Sequence, residues 1–269
     1  MKYISTRGKA PVLNFEEAML TGLARDGGLY VPQSIPNFSP DDISSMSDLS
    51  YEEIAFKVIL PFVGDCFSDD ELIKIINKAY TEFGHIERAP LVELESNHFL
   101  LELFHGPTLA FKDIALQFLG NVFSYILQLS GGSLNILGAT SGDTGSAAIY
   151  GVKGKPNINI FIMHPIGRVS PIQEMQMTSV IDKNVFNIGI NGTFDDCQYI
   201  MKSTFSDLDF KDKYNLGAIN SVNWSRVLAQ IVYYFYSGLK IMRNYGSSAV
   251  RFSVPVSYTH LTLPTSDLV

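Results

Sequence analysis

The sequence predicts an α/β fold, a mainly parallel sheet carrying helices, set behind a mainly helical N-terminal lobe. Three observations carry this. From Pro90 onward, short apolar runs alternate with stretches long enough for helices, the rhythm of βαβ units. One of those runs, 134–137, passes through Gly138-Ala-Thr-Ser-Gly-Asp-Thr-Gly145 directly into a helical segment, which makes a glycine-rich strand-to-helix turn. The first 90 residues lack that rhythm and read as helices joined by irregular connections.

Taken in order, the lobe opens with an amphipathic stretch over 14–23. A Pro-, Ser- and Asp-rich connection follows over 32–50, then helices near 51–60 and 69–80. After Pro90 the expected succession is strand 99–104, helix 109–127, strand 134–137, helix 144–152, strand 158–163, helix 170–179, strand 185–190, helix 193–206 and helix 223–238. Parallel strands so connected require right-handed crossovers. Residues 1–90 and 91–255 thus divide into a lobe and a sheet domain, and 251–255 reads as one further buried strand. No internal repeat or low-complexity tract is apparent.

Composition limits the function classes. A chain of 269 residues with 46% hydrophobic residues can bury a substantial core. A net charge of −7 with no run of lysine or arginine argues against nucleic acid as a partner. No apolar run approaches the roughly 18 residues of a membrane span, and the N-terminus has no signal-peptide core. Two distant cysteines, Cys66 and Cys197, suit a reducing compartment, and the expected location is cytoplasmic. His85, His98 and His164 show no metal-ligand spacing, so no metal is expected.

Lys112 is the most informative residue. On a helix over 109–127, Asp113, Gln117, Asn121 and Ser124 share one polar arc of roughly 80°, and Lys112 falls outside it, between the directions of Leu119 and Phe123. A lysine buried there must lose its proton, find a partner, or react. Full desolvation can lower a lysine pKa by roughly 3–5 units, and a neutral amine forms Schiff bases with aldehydes. The competing reading is a stem that covers apolar surface while the head reaches water, the commoner fate of a lysine. Thr108 is a candidate N-cap for this helix.

The 138–145 turn points to an anion. Its glycines fit neither Gly-x-Gly-x-x-Gly nor a P-loop, which disfavours a nucleotide. A carboxylate or simple phosphate at a helix N-terminus remains, with the Ser141 and Thr144 hydroxyls adding donors. Two further segments are candidates to face a ligand. Arg168 and Ser170 lie between a strand and a helix, and Asn220, Ser221 and Asn223 precede the last long helix. Taken singly, each could equally be a solvated arginine or an ordinary cap.

The string His105-Gly-Pro-Thr-Leu-Ala-Phe-Lys112-Asp113 resembles the cofactor-lysine segment of threonine synthases. Three more segments agree in the family's order: Gly22-Leu-Ala-Arg-Asp-Gly-Gly-Leu-Tyr-Val-Pro32, Ala139-Thr-Ser-Gly-Asp-Thr-Gly145 and Ala218-Ile-Asn-Ser-Val-Asn-Trp224. The resemblance extends to about Pro255. It implies the tryptophan synthase β-like fold (fold type II), with pyridoxal 5'-phosphate on Lys112 as a Schiff base beside Phe111 and Asp143. It implies that Ser141, Gly142, Thr144 and Gly145 hold the substrate α-carboxylate, while Arg168, Ser170, Asn220, Ser221 and Asn223 face the rest of O-phospho-L-homoserine. The implied reaction converts that substrate and water to L-threonine and phosphate. Alternatives are a serine/threonine dehydratase of the same fold, which lacks the N-terminal lobe, or a non-catalytic fragment. Residues 256–269 depart from the family pattern and read as a translated adaptor. No glycine follows Gly246 to build the family's cofactor-phosphate turn. The expectation is therefore a family fragment, its apolar surface partly uncovered.

Overall fold

The computed structural model describes residues 1–219, 223–246 and 250–254. In the lobe, β1 (Tyr3–Ser5) and β2 (Tyr30–Pro32) pair antiparallel. Three residues each are too few for alternation to announce a strand, and the sequence did not signal them. The lobe also holds four helices: α1 (Phe15–Thr21), between the two strands, then α2 (Pro40–Ser45), α3 (Tyr51–Val63) and α4 (Asp69–Tyr80). Each begins with a reciprocal capping box, in which Asn14, Ser39, Ser50 and Ser68 pair with Glu17, Asp42, Glu53 and Glu71. The box satisfies backbone N–H groups that have no partner inside the helix.

The segment expected as strand 99–104 is instead half of an antiparallel hairpin, β3 (Leu91–Glu95) with β4 (His98–Leu101), outside the main sheet. Ser96-Asn97 forms its tip, with Asn97 at φ 64°. Asparagine tolerates that left-handed geometry, and so short a connection joins antiparallel neighbours rather than a crossover pair.

Next comes α5 (Lys112–Ser130), then β5 (Leu134–Ala139), α6 (Asp143–Val152), β6 (Ile158–Pro165), α7 (Pro171–Thr178), β7 (Val185–Ile190), α8 (Phe194–Ser206), α9 (Leu208–Lys213), β8 (Leu216–Ala218) and α10 (Trp224–Tyr245). The sheet order is β7-β6-β5-β8 with every neighbour parallel. The chain therefore steps outward from β5 to β7 and returns to the other side of β5. That reversal is a topological switch point, where open parallel sheets place ligands beyond the strands' carboxyl ends. Neither α9 nor β8 was anticipated. β8 has three residues and follows Asn215 at φ 47°, a turn signal that hides so short a strand.

α5 is the central helix, packed against α4, α6 and α10. Its polar arc does not face water: Asp113, Gln117, Asn121 and Ser124 are all buried. Asn121 Nδ2 donates to the Gln117 carbonyl at 2.8 Å, and its Oδ1 accepts from Lys155 Nζ at 2.9 Å. α5 and α6 cross through Gly120 and Gly151. A Cβ at either would enter the backbone of the opposite helix, at Gly151 or at Leu116. The buried apolar residues from Tyr3 to Leu239 form one cluster that joins the lobe helices to α5, α10 and the sheet.

Residues 251–254, expected as part of a buried strand, take no regular structure and are exposed. A strand needs a ladder partner for its N–H and C=O groups. Here Phe252 makes an edge-on contact with the Tyr234 ring instead, at 5.0 Å between centroids. Pro255 and the 256–269 segment lie outside the described residues. Among the described residues no helix is long and apolar enough to cross a membrane, and no cluster of three His, Cys, Asp or Glu could hold a metal.

Candidate active site

Lys112 is the first residue of α5 and is 8% exposed. Its Nζ lies 2.6 Å from Asp143 Oδ2 and 5.4 Å from the centre of the Phe111 ring. Of the three fates open to a buried lysine, this one has found a partner. Burial of an ammonium is tolerable when a carboxylate is close and held in place.

The approach to Lys112 is a tight turn. Leu109 takes φ 59°, and Asp113 reaches back to accept from Thr108 N at 2.8 Å, Thr108 Oγ1 at 2.7 Å and Ala110 N at 3.4 Å. Thr108 is thus not the N-cap of α5. The cap position falls to Phe111, without a side-chain bond, because the Leu109 turn delays the helix by several residues. Asp113 organises the turn, and Gly106 leaves room for it, since a Cβ there would overlap the Asp113 side chain. Burial pushes the Asp113 carboxyl above its ordinary range, and its bonds from Thr108 and Ala110 act in the opposite direction. Gln176 of α7 ties down the same turn by donating to the Thr108 carbonyl at 3.1 Å.

Asp143 is the first residue of α6, at the end of the glycine-rich turn. Its Oδ1 accepts from Thr144 N at 2.9 Å, which leaves Oδ2 for the lysine. Buried Thr140 stitches the turn: its Oγ1 accepts from Gly142 N at 3.0 Å and Gly145 N at 2.9 Å. Gly142 stands at φ 151°, and a Cβ there would collide with the Gln173 side chain. The N–H groups of Gly142, Thr144 and Gly145, expected to face an anion, thus already have acceptors within the chain. Ser141 is exposed and Thr144 half-buried.

The other expected site residues divide. Ser170 caps α7, accepting from Gln173 N at 3.3 Å. Arg168, two residues earlier, is exposed. Its charge contributes to holding the Asp196 carboxyl below its usual range, an effect owed first to the Thr193 N–H and hydroxyl. Asn223 is buried and caps α10, with Oδ1 accepting from Ser225 N at 3.0 Å and Nδ2 donating to the Met19 carbonyl at 3.3 Å. Asn220 and Ser221 lie outside the described residues. The segments carrying these residues follow β6, β5 and β8, neighbours in the sheet, so all leave from its carboxyl end.

Sequence reasoning missed Thr140, Gln173 and Gln176. Thr140 carried a signal, a hydroxyl two residues before a turn glycine. The two glutamines had none, because their contacts depend on tertiary packing.

The family described as "Threonine synthase N terminus" matches residues 2–80. Threonine synthase of Pseudomonas aeruginosa is 51% identical over 255 residues, covering 95% of this chain and 54% of that protein. Threonine synthase of Schizosaccharomyces pombe is 49% identical over 288 residues, covering 100% and 56%. Among solved structures, the pyridoxal-phosphate-bound threonine synthase of Brucella melitensis superposes with a TM-score of 0.87 at 48% identity, covering 91% of this chain and 53% of that one. The chain spans about half the length of the relatives it matches. Fold type II is the architecture of these neighbours, and the sequence resemblance and the shared fold agree from the lobe to the sheet. Over the half that it spans, the chain belongs to the threonine synthase family.

Proposed function

We propose that the chain carries the amine-bearing half of a cytoplasmic threonine synthase, a pyridoxal-phosphate-dependent lyase that converts O-phospho-L-homoserine and water to L-threonine and phosphate. The observation that carries this reading is the Lys112 amine, buried at the start of α5 and 2.6 Å from Asp143 on the glycine-rich turn. The residues fit pyridoxal phosphate at its aldehyde end, where the chemistry needs a primary amine on a rigid helix. Bound there, the cofactor supplies an electron sink for negative charge beside the substrate amine.

The chain's own residues do the rest. Lys112, once its nitrogen is released, is the base that takes the proton from the substrate Cα. Asp143 holds that nitrogen at the mouth of the turn. Ser141, Gly142, Thr144 and Gly145 lie at the N-terminus of α6, whose dipole favours a carboxylate. Arg168 and Ser170, at the start of α7, supply charge and a hydroxyl toward the phosphate end, with Asn220, Ser221 and Asn223 before α10. Fixing both anionic ends keeps the reacting bond aligned. The lobe match over residues 2–80 favours this reading over a dehydratase of the same fold.

The test joins this chain to the remaining half of a family threonine synthase and measures phosphate release from O-phospho-L-homoserine. Release is expected, along with its loss in Lys112→Ala. Undiminished release by that variant overturns the assignment.

A further inference from the structure

The Lys112 ammonium is not a nucleophile while it stays paired. Its side chain is 10% exposed and that of Asp143 38%, so the carboxylate is the more exposed partner of the pair. Asp143 is itself anchored at the first turn of α6, where its Oδ1 accepts from Thr144 N at 2.9 Å. If the pair opens, Asp143 keeps a partner in Thr144. Among the described residues Lys112 keeps none, since Asp143 is its one hydrogen-bonding or ion-pairing contact. An entering aldehyde must therefore bring its own replacement for the carboxylate.

We propose that Asp143 is a specificity-determining positioning residue. It makes Lys112 resistant to simple aldehydes and selects those that carry an oxyanion next to the carbonyl, the hydroxyaryl aldehydes. This deepens the proposed function and rests on Lys112 being the imine-forming amine. The oxyanion takes the place of Asp143 against the ammonium and accepts one proton from Nζ. The nitrogen lone pair then adds to the carbonyl carbon as the C=O π pair moves to oxygen. The two remaining amine protons pass to that oxygen, which leaves as water while the C=N bond forms. Charge and atoms balance, nothing is oxidised, and the new hydroxyl is left beside the new nitrogen. An aldehyde without the oxyanion has to separate the ion pair with nothing in exchange.

The experiment labels the chain with formaldehyde or with salicylaldehyde, each trapped by cyanoborohydride. The rate at Lys112 is read by peptide mass spectrometry against the exposed Lys74 and Lys183 in the same molecule. Neither aldehyde has a phosphate, so labelling does not depend on a phosphate site. In Asp143→Asn, formaldehyde labelling of Lys112 is expected to rise about tenfold, on the scale of one lost charge-assisted bond, and salicylaldehyde labelling by much less. Asp143→Glu should keep the original preference, and far-UV circular dichroism checks that both variants fold. Equal formaldehyde rates in the chain and the Asn variant, or equal gains for both aldehydes, overturn this proposal alone. A Lys112 that reacts with neither aldehyde, in chain or variant, while the reference lysines do, overturns the catalytic assignment as well.

Discussion

The helices of the lobe and the two helices that open with Lys112 and Asp143 begin differently. α1, α2, α3 and α4 each start with a side chain that takes up a free backbone N–H and a second that returns the bond. α8 does the same with Thr193 and Asp196. α5 and α6 have no side-chain cap. Their first residues are Lys112 and Asp143, which bond to each other. In the lobe, a helix start is closed locally and serves stability. At the site, two starts are left without caps and their charged first residues meet across space, so a local device is replaced by a tertiary one that chemistry can use.

The largest expected effect breaks the site half of this comparison. Lys112→Ala in the full-length fusion removes the base and the covalent anchor together, and phosphate release should fall by roughly a thousandfold or more. Next is Gly142→Ala. An alanine would be strained at φ 151° and would collide with Gln173, so the melting temperature should drop by several degrees, as for a loss of about 1–3 kcal/mol. An unchanged melting curve would mean that the turn can rearrange freely.

The lobe half is tested by Ser68→Ala, which removes one cap and should cost about 1 kcal/mol in denaturant unfolding. The smallest effect is acid dependence. The Glu71 carboxyl is held at about 2, first by the Tyr125 hydroxyl and then by the Ser68 N–H and hydroxyl, against an ordinary 4.5. A depressed folded-state value means stability that is present above 4.5 and lost as pH falls from there toward 2. Unfolding followed over that window should lose part of its pH slope in Glu71→Gln. A slope that persists in full would assign the acid sensitivity elsewhere.

What the sequence revealed follows from how far each signal reaches. The parallel strands 158–163 and 185–190 and the helices around 69–80 and 193–206 were legible because apolar spacing is a local property. The burial of Lys112 was legible too, from the apolar residues flanking it. Its pairing with Asp143 was not legible from spacing, and only the family resemblance set the two side by side. Asp143 lies 31 residues away in sequence, and no periodicity reports which side chains a fold brings together. The same limit explains the inverted reading of Thr108 and Asp113. Both lie in the quoted motif, yet the left-handed turn at Leu109 decides which is anchor and which is anchored. Strand 99–104 failed for a different reason, because alternation cannot say which sheet a strand joins.

The crossing of α5 and α6 gives the Lys112–Asp143 pair the geometry of a calliper. Gly120 lies eight residues beyond Lys112 and Gly151 eight beyond Asp143, so each arm from the pivot to its tip is about 12 Å long. With backbone against backbone at the pivot, the gap between the tips is set by contact rather than by any group that takes part in chemistry. A methyl group added at Gly120 would pry the arms apart and change the distance between amine and carboxylate without touching either. Altered lysine reactivity in an otherwise folded protein can therefore originate at a position that bears no side chain at all.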